Sequence, residues 1–193
     1  KNQEDLLLIS MRLNQNIYEC LTNNKIKGAL KYNLINRRII EKAFGNNSEQ
    51  HIEYEWNFIK ALGEHEFDQL ALKHLTRMQK RHLKDLHLYQ KLIFKSGIAT
   101  ALMNLDHNFE ALKIYTELKP QFLENYADSS TTMLLLSNLS VCYHKLDDLN
   151  LMESTREEFY KLSEDIELKP EIQSLYEQNL DRDLFITNQI GDF

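Results

Sequence analysis

The sequence predicts an all-α chain built from about four helix-turn-helix repeats and closed by a C-terminal capping helix, and three observations carry that prediction. Only 5 Gly and 2 Pro punctuate the 193 residues, where average usage gives roughly 14 and 10. That scarcity disfavours turn-dense β sandwiches and glycine-rich nucleotide-binding folds. Apolar residues recur at helical rather than alternating spacing. A period of 41 residues aligns the same residue types along the chain. With 42% hydrophobic and 27% charged residues, the chain carries enough apolar material to bury a core.

The repeats are expected at residues 5–45, 47–84, 86–127 and 129–167, with the capping helix at 171–190, all in one domain spanning 1–193. Ala29, Leu70, Ala111 and Met152 form one column of small or unbranched apolar residues. Nine positions earlier stand Cys20, Ala61, Leu102 and Tyr143, followed by Leu21, Leu62, Met103 and His144. Between these columns and the anchor fall short polar connectors: Asn23–Asn24 in the first repeat, Gly63–Glu64–His65 in the second, Asp106–His107 in the third and Asp147–Asp148 in the fourth. Each repeat therefore reads as helix, tight turn, helix. The second repeat opens at Asn47 or Ser48 and the fourth at Asp128, Ser129 or Ser130, whose short oxygens satisfy the free amides of a helix start. In the third repeat, Ile93, Ile98, Leu102 and Leu105 mark one apolar stripe, and Ala111, Leu112, Ile114, Tyr115, Leu118 and Phe122 mark the next. Pro170 followed by Glu171 opens the capping segment, with Glu171, Glu177, Asp181 and Asp183 on its wet face. One helical hairpin cannot bury its apolar face alone, whereas stacked hairpins can.

Asn138, Leu139, Tyr143, Asp147, Asp148, Leu149 and Phe159, with Ala111 and Tyr115 one repeat earlier, resemble the tetratricopeptide pattern. The resemblance covers Asn14 to Leu162. The small residue usual in the first helix is replaced by Ile17 and Phe58 in two repeats, kept as Ala99 and Ser140 in the others, and the usual Ala of the second helix is Leu70 and Met152 in two repeats. A 41-residue period implies longer helices or linkers than the family's. The chain is also similar to the C-terminal sensor domains of bacterial peptide-pheromone receptors. The resemblance implies a right-handed superhelical solenoid whose first helices line a concave groove, and a non-catalytic module that binds a peptide or protein segment there.

Family geometry then assigns the groove. Its lining is expected from Asn14, Gln15, Tyr18 and Thr22 in the first repeat and Glu55, Trp56 and Ile59 in the second. Ser96, Thr100 and Asn104 follow in the third, and Ser137, Asn138, Val141, His144 and Lys145 in the fourth. Amides both donate and accept, which suits an extended peptide backbone, while Trp56, Tyr18, Ile59 and Val141 offer side-chain pockets. The bland alternative for the same residues is an ordinary polar helix face, with Trp56 in the core.

Net charge is −6, unevenly spread: residues 1–145 sum to +3 and 146–193 to −9. Lys73, Arg77, Lys80, Arg81, Lys84, Lys91 and Lys95 face a single Asp85, with His74, His82 and His87 interleaved. That stripe is read as a solvated face, a contact for an acidic protein, or a nucleic-acid contact. It also motivates the alternative function, a scaffold that oligomerises through charged outer faces, so the partners expected are a peptide or protein segment or, alternatively, a second copy in a homodimer. Nucleic acid is expected only through a DNA-binding domain preceding Lys1, a non-Met start that points to a piece of a longer protein. No membrane partner, membrane span or signal peptide is expected, and the location read from this is cytoplasmic. Enzymatic chemistry is not expected: phosphate-cradling glycine loops, nucleophile elbows and helical His pairs with a catalytic Glu do not occur in the sequence. Cofactors and metals are expected to play no part, and Cys20 and Cys142 to be buried reduced thiols.

Overall fold

A helical hairpin needs a residue that can reverse the chain while satisfying the carbonyls left over at the end of its first helix. In this chain, a computed structural model that describes residues 3–46, 48–82, 86–127 and 129–163, the same device recurs four times. Asn24, Glu66, Asp106 and Asp147 adopt left-handed conformations with φ of 55°, 62°, 62° and 58°. The amide of each bonds back three residues, and the amide of the next residue bonds back five: Lys25 N to Cys20 O at 2.7 Å, Phe67 N to Leu62 O at 2.8 Å, His107 N to Leu102 O and Asp148 N to Tyr143 O at 2.9 Å. These pairs of bonds are Schellman turns. In every case the second helix starts two residues beyond the left-handed one.

The turns separate eight helices among the described residues: α1 (Gln3–Thr22), α2 (Ile26–Phe44), α3 (Glu49–Glu64), α4 (Asp68–His82), α5 (Leu88–Asn104), α6 (Asn108–Tyr126), α7 (Ser130–Lys145) and α8 (Leu149–Ser163). The four hairpins match the four expected repeats. The capping helix expected at 171–190 lies outside the described residues. Of the candidate caps, Ser48 and Ser129 cap their helices, their hydroxyls accepting from His51 N and Thr132 N at 3.2 Å; Ser130 is the first residue of α7 instead, and Asn47 and Asp128 lie outside the described residues.

The chain divides into two compact units, Lys1–Leu86 and His87–Phe193. In the first, α1 packs on α2, α2 on α3 and α3 on α4, with α1 also touching α3. Its core gathers Ile17, Leu21, Ala29, Ile40, Tyr54, Phe58, Ile59, Leu62, Ala71, Leu75 and Met78. In the second, α5 to α8 pack in succession and α5 also meets α7, around Leu92, Ala99, Met103, Ala111, Tyr115, Leu118, Phe122, Met133, Leu135, Leu136, Leu139, Cys142 and Phe159. Cys142 is buried and its thiol is pushed by burial up to about 11. Cys20 is only partly buried, short of the expectation, and both thiols are free.

Two details of the sequence reading are corrected. The left-handed residues stand 42, 40 and 41 apart, so the second repeat runs one residue late: Ala71 is buried in the anchor column, while Leu70 is half-buried. One residue is a 100° rotation on a helix, so only Ala71 faces α3 and the small side chain is present after all. In α5, Ile93, Ile98, Leu102 and Leu105 are half-buried, whereas Leu92, Phe94, Ser96, Ala99, Ala101 and Met103 are fully buried. A helix apolar on most sides has no single stripe from which its phase can be read. The first-helix column Ile17, Phe58, Ala99 and Ser140 is buried in all four hairpins.

Opposite stability changes follow from these positions. A left-handed Glu costs about 1–2 kcal/mol, against the entropy of glycine at about 0.5–1 kcal/mol; Glu66→Gly is therefore expected to stabilise the chain by about 0.5–1 kcal/mol in urea unfolding. Ala111→Arg, which drives an unpaired charge into a fully buried site, is expected to cost more than about 3 kcal/mol in the same measurement.

Candidate functional site

On α1, the residues that do not pack inward form a continuous stripe. Leu8, Met11, Gln15, Tyr18 and Thr22 follow one another at three- or four-residue steps and are all exposed, Leu8 at 62%, Met11 at 67% and Tyr18 at 45%. Large apolar side chains at this spacing and this exposure are unusual on a helix whose opposite face is already buried. Gln15, Tyr18 and Thr22 of the expected lining lie on the stripe. Asn14 does not: its Oδ1 accepts from Asn36 Nδ2 at 2.8 Å, and Asn36 donates also to Ser10 O at 3.1 Å, so this amide joins α1 to α2. Tyr18 meets the ring of His65 edge-on at 6.3 Å. Partial burial, with the Glu64 carboxylate beside it, raises its hydroxyl above the usual tyrosine value.

From α3, Trp56 is half-buried, Ile59 is buried in the core, and Glu55 turns toward α2 and α4. Glu55 Oε1 lies 3.3 Å from Arg37 Nε and 3.7 Å from Arg81 Nη1, and its Oε2 lies 3.7 Å from His82 Nε2. A small cavity of about 30 Å³ adjoins it, lined by Arg37, Glu55, Ile59, His74, Arg77, Met78 and Arg81. His74, its ring edge-on to Phe58 at 5.3 Å, is held below the usual imidazole value first by burial and then by Arg77. Within the basic stripe, Lys73, Arg77, Lys80 and Arg81 occupy partly or fully exposed positions of α4; Lys84 and Asp85 lie outside the described residues.

In the second unit most of the expected lining serves the fold. Asn138 is buried at 4% exposure, and its Nδ2 donates to Tyr115 Oη at 3.1 Å and Thr100 Oγ1 at 3.4 Å. Thr100 and Tyr115 share a 2.8 Å hydrogen bond, and Thr100 also donates to Ser96 O at 3.0 Å. Burial drives the Tyr115 hydroxyl well above its usual range. These residues bind α5, α6 and α7 to one another. Ser96 and Ser137 are buried, Val141 and His144 are half-buried, and Asn104 and Lys145 are exposed. Lys145 Nζ reaches Met103 O at 3.4 Å and Asp106 Oδ1 at 2.9 Å, so it clasps the left-handed turn of the preceding hairpin and lowers the Asp106 carboxyl below its usual value. Helix α7 is buried over most of its circumference from Thr132 to Ser140, consistent with a sequence that carries small and apolar residues on every side.

The spacing of residues along the chain hid one constellation. His51 and His82, from α3 and α4, meet at a ring separation of 6.1 Å beside Glu55. The one local signal is His51 and Glu55 four residues apart on α3, which places both on one face; the third member comes from the facing helix.

The network in the second unit makes Asn138 a structural amide, whereas Gln15 of α1 stands exposed on the open stripe. Asn138→Ala is expected to destabilise the chain by about 1–3 kcal/mol, because it strips a buried hydrogen-bonded cluster of its donor. Gln15→Ala, on the open stripe, is expected to stay within about 0.5 kcal/mol. Urea unfolding of the two variants checks this.

No protein-family profile matches the chain, and no curated protein matches it significantly. Among the described residues no helix is long and apolar enough to cross a membrane. Among solved structures, the chain is similar to the nearly identical TPR-like repeats assigned to a kinesin light chain of Podosopora anserina, at 12% identity and a TM-score of 0.58, covering 83% of this chain and 86% of that one. A point variant of the same repeats gives 13% identity and a TM-score of 0.58, covering 83% and 85%. With the four hairpins and their recurring turns, this likeness shows that the chain has a TPR-like helical-repeat fold.

Proposed function

We propose that the chain is a non-catalytic module that binds a peptide or protein segment along the open face of α1, with Trp56 of α3 as a further contact. TPR-like repeats are in general protein–protein interaction modules, and the observation that carries the specific reading is the exposed stripe Leu8–Met11–Gln15–Tyr18. Covering Leu8 and Met11 removes their apolar surface from water, which is worth about 1.5–3 kcal/mol for each side chain fully buried. The Gln15 amide and the Tyr18 hydroxyl supply donors and acceptors that fix the register of the bound segment. An amphipathic helix with anchors at three- and four-residue steps suits such a face, as does an extended segment that pairs with the Gln15 amide. In its finer form the reading makes the bound segment a signal peptide and the chain the sensor part of a transcription regulator, which requires the native gene to encode a helix-turn-helix domain upstream of Lys1.

The test is a synthetic peptide library selected against the purified chain, followed by affinity measurements on the selected peptide. Met11→Glu and Tyr18→Ala are each expected to weaken binding at least about tenfold, a loss of about 1.4 kcal/mol, without shifting the thermal midpoint. Unchanged affinity in both variants and in Trp56→Ala would move the site off this face.

A further inference from the structure

Two imidazoles and a carboxylate meet inside the first unit. His51 and His82 are 1% and 2% exposed, and one ligand atom from each of His51, Glu55 and His82 lies within 4.8 Å of the other two. Neither ring nitrogen of His51 makes a hydrogen bond, although its Nε2 stands 3.5 Å from Glu41 Oε1. Buried polar nitrogens are normally satisfied. From this arrangement we propose that His51, Glu55 and His82 bind a divalent transition-metal ion of the zinc type, a role independent of the peptide face on α1.

The donor set selects the class of ion. Imidazole nitrogen with one carboxylate oxygen suits Zn²⁺ and its neighbours, whereas Ca²⁺ and Mg²⁺ require shells of oxygen. In a tetrahedral site with bonds of about 2.0–2.1 Å the donors stand roughly 3.4 Å apart. His82 Nε2 and Glu55 Oε2 are already 3.7 Å apart, and no separation in the set, all within 4.8 Å, has to close by more than about 1.4 Å, within the reach of side-chain rotation.

The two oxygens of Glu55 divide the work. Oε1 faces the guanidinium groups of Arg37 and Arg81, while Oε2 faces His82. An ion on Oε2 therefore leaves both arginines on Oε1, where they orient the carboxylate as outer partners of metal ligands commonly do. Arg37 Nε is also 2.9 Å from Glu41 Oε1, so the same cation holds Glu41 beside His51. Glu41 or a water completes the coordination. A bound ion would tie the C-terminal end of α4 to the first turns of α3 and so reinforce this unit.

The experiment titrates metal-stripped full chain with Co²⁺, read by visible absorption, and with Zn²⁺ in competition and by calorimetry. Expected are one ion per chain, a tetrahedral Co²⁺ spectrum, and a rise in thermal midpoint with Zn²⁺. His51→Gln, His82→Gln and Glu55→Gln are each expected to lower affinity at least about tenfold, while His107→Gln, an exposed position of the other unit, leaves it unchanged. Far-UV circular dichroism reports whether each variant is folded. If all three variants fail to fold, the wild-type chain still decides the matter by its Co²⁺ spectrum and Zn²⁺-dependent midpoint. Absence of binding to the wild-type chain at about 100-fold molar excess of metal, binding undiminished in folded variants, or equal loss in His107→Gln overturns the proposal.

Discussion

Everything in this chain hangs from a two-bond turn. A helix ends with unpaired carbonyls, and here they are taken up by the amides of a left-handed residue and its successor, four times over. The turn leaves only a short connector, so the second helix must fold back against the first, and the side chains that meet are set by counting from the turn. Ala29, Ala71 and Ala111 each lie five residues beyond their left-handed residue and are buried. Where the turn sits therefore determines which small side chain permits close approach of the helices. Asn and Asp tolerate the left-handed region because their short polar side chains bond locally, which explains how three of the four hairpins close without glycine at Asn24, Asp106 and Asp147, while Glu66 holds the same conformation at a cost.

The helix-turn-helix unit and the serine caps at Ser48 and Ser129 were legible because each rests on residues a few positions apart, and the repeat because the same residue types return every 41 positions. Periodicity also located the first-helix column at Ile17, Ala99 and Ser140, each seven residues before its left-handed residue; in the second repeat that place falls to Ile59 beside the expected Phe58, and both are buried. The one-residue delay in the second repeat was not legible, since Leu70 and Ala71 are adjacent and both apolar, and only packing against α3 tells them apart. Phase failed likewise in α5, a helix apolar on most sides, and α7, with small and apolar residues on every side, buries Ser137 and Asn138 of the expected lining. Hydrophobic spacing locates a helix's buried face only when the other face is polar.

The candidate site was legible in a different measure. On α1, Gln15, Tyr18 and Thr22 lie together on the open stripe, but the apolar half of that stripe, Leu8 and Met11, carries no polar motif that would mark it. Sequence treats an apolar residue on a helix as core by default, and exposure is a property of the surroundings rather than of the residue. The His51–Glu55–His82 cluster is hidden for the complementary reason: 31 positions separate the two histidines, and their meeting depends on how α3 and α4 are phased by the Glu66 turn.

Asn14, Thr100 and Asn138 show why an amide-rich column is ambiguous, and they also point to what resolves it. In the sequence each reads as ligand-facing because an amide or hydroxyl can pair with a peptide backbone; each is instead paired with a polar group on a neighbouring helix of its own unit: Asn36, Tyr115 and Thr100. Burying such a group without a partner is costly, so a buried polar pair tolerates one helix phase and penalises its neighbours a residue away. Tyr54 repeats the pattern, donating to Asn33 Oδ1 at 2.7 Å between α3 and α2. In both units, therefore, polar side chains between helices specify register, a role apolar packing performs less sharply because it tolerates substitution of similar volume. An amide on an outward stripe is set apart from these by its exposure. Gln15, on the outward stripe of α1, is of that kind. Under the proposed function, recognition and folding draw on one residue chemistry, divided by whether the facing helix supplies the partner.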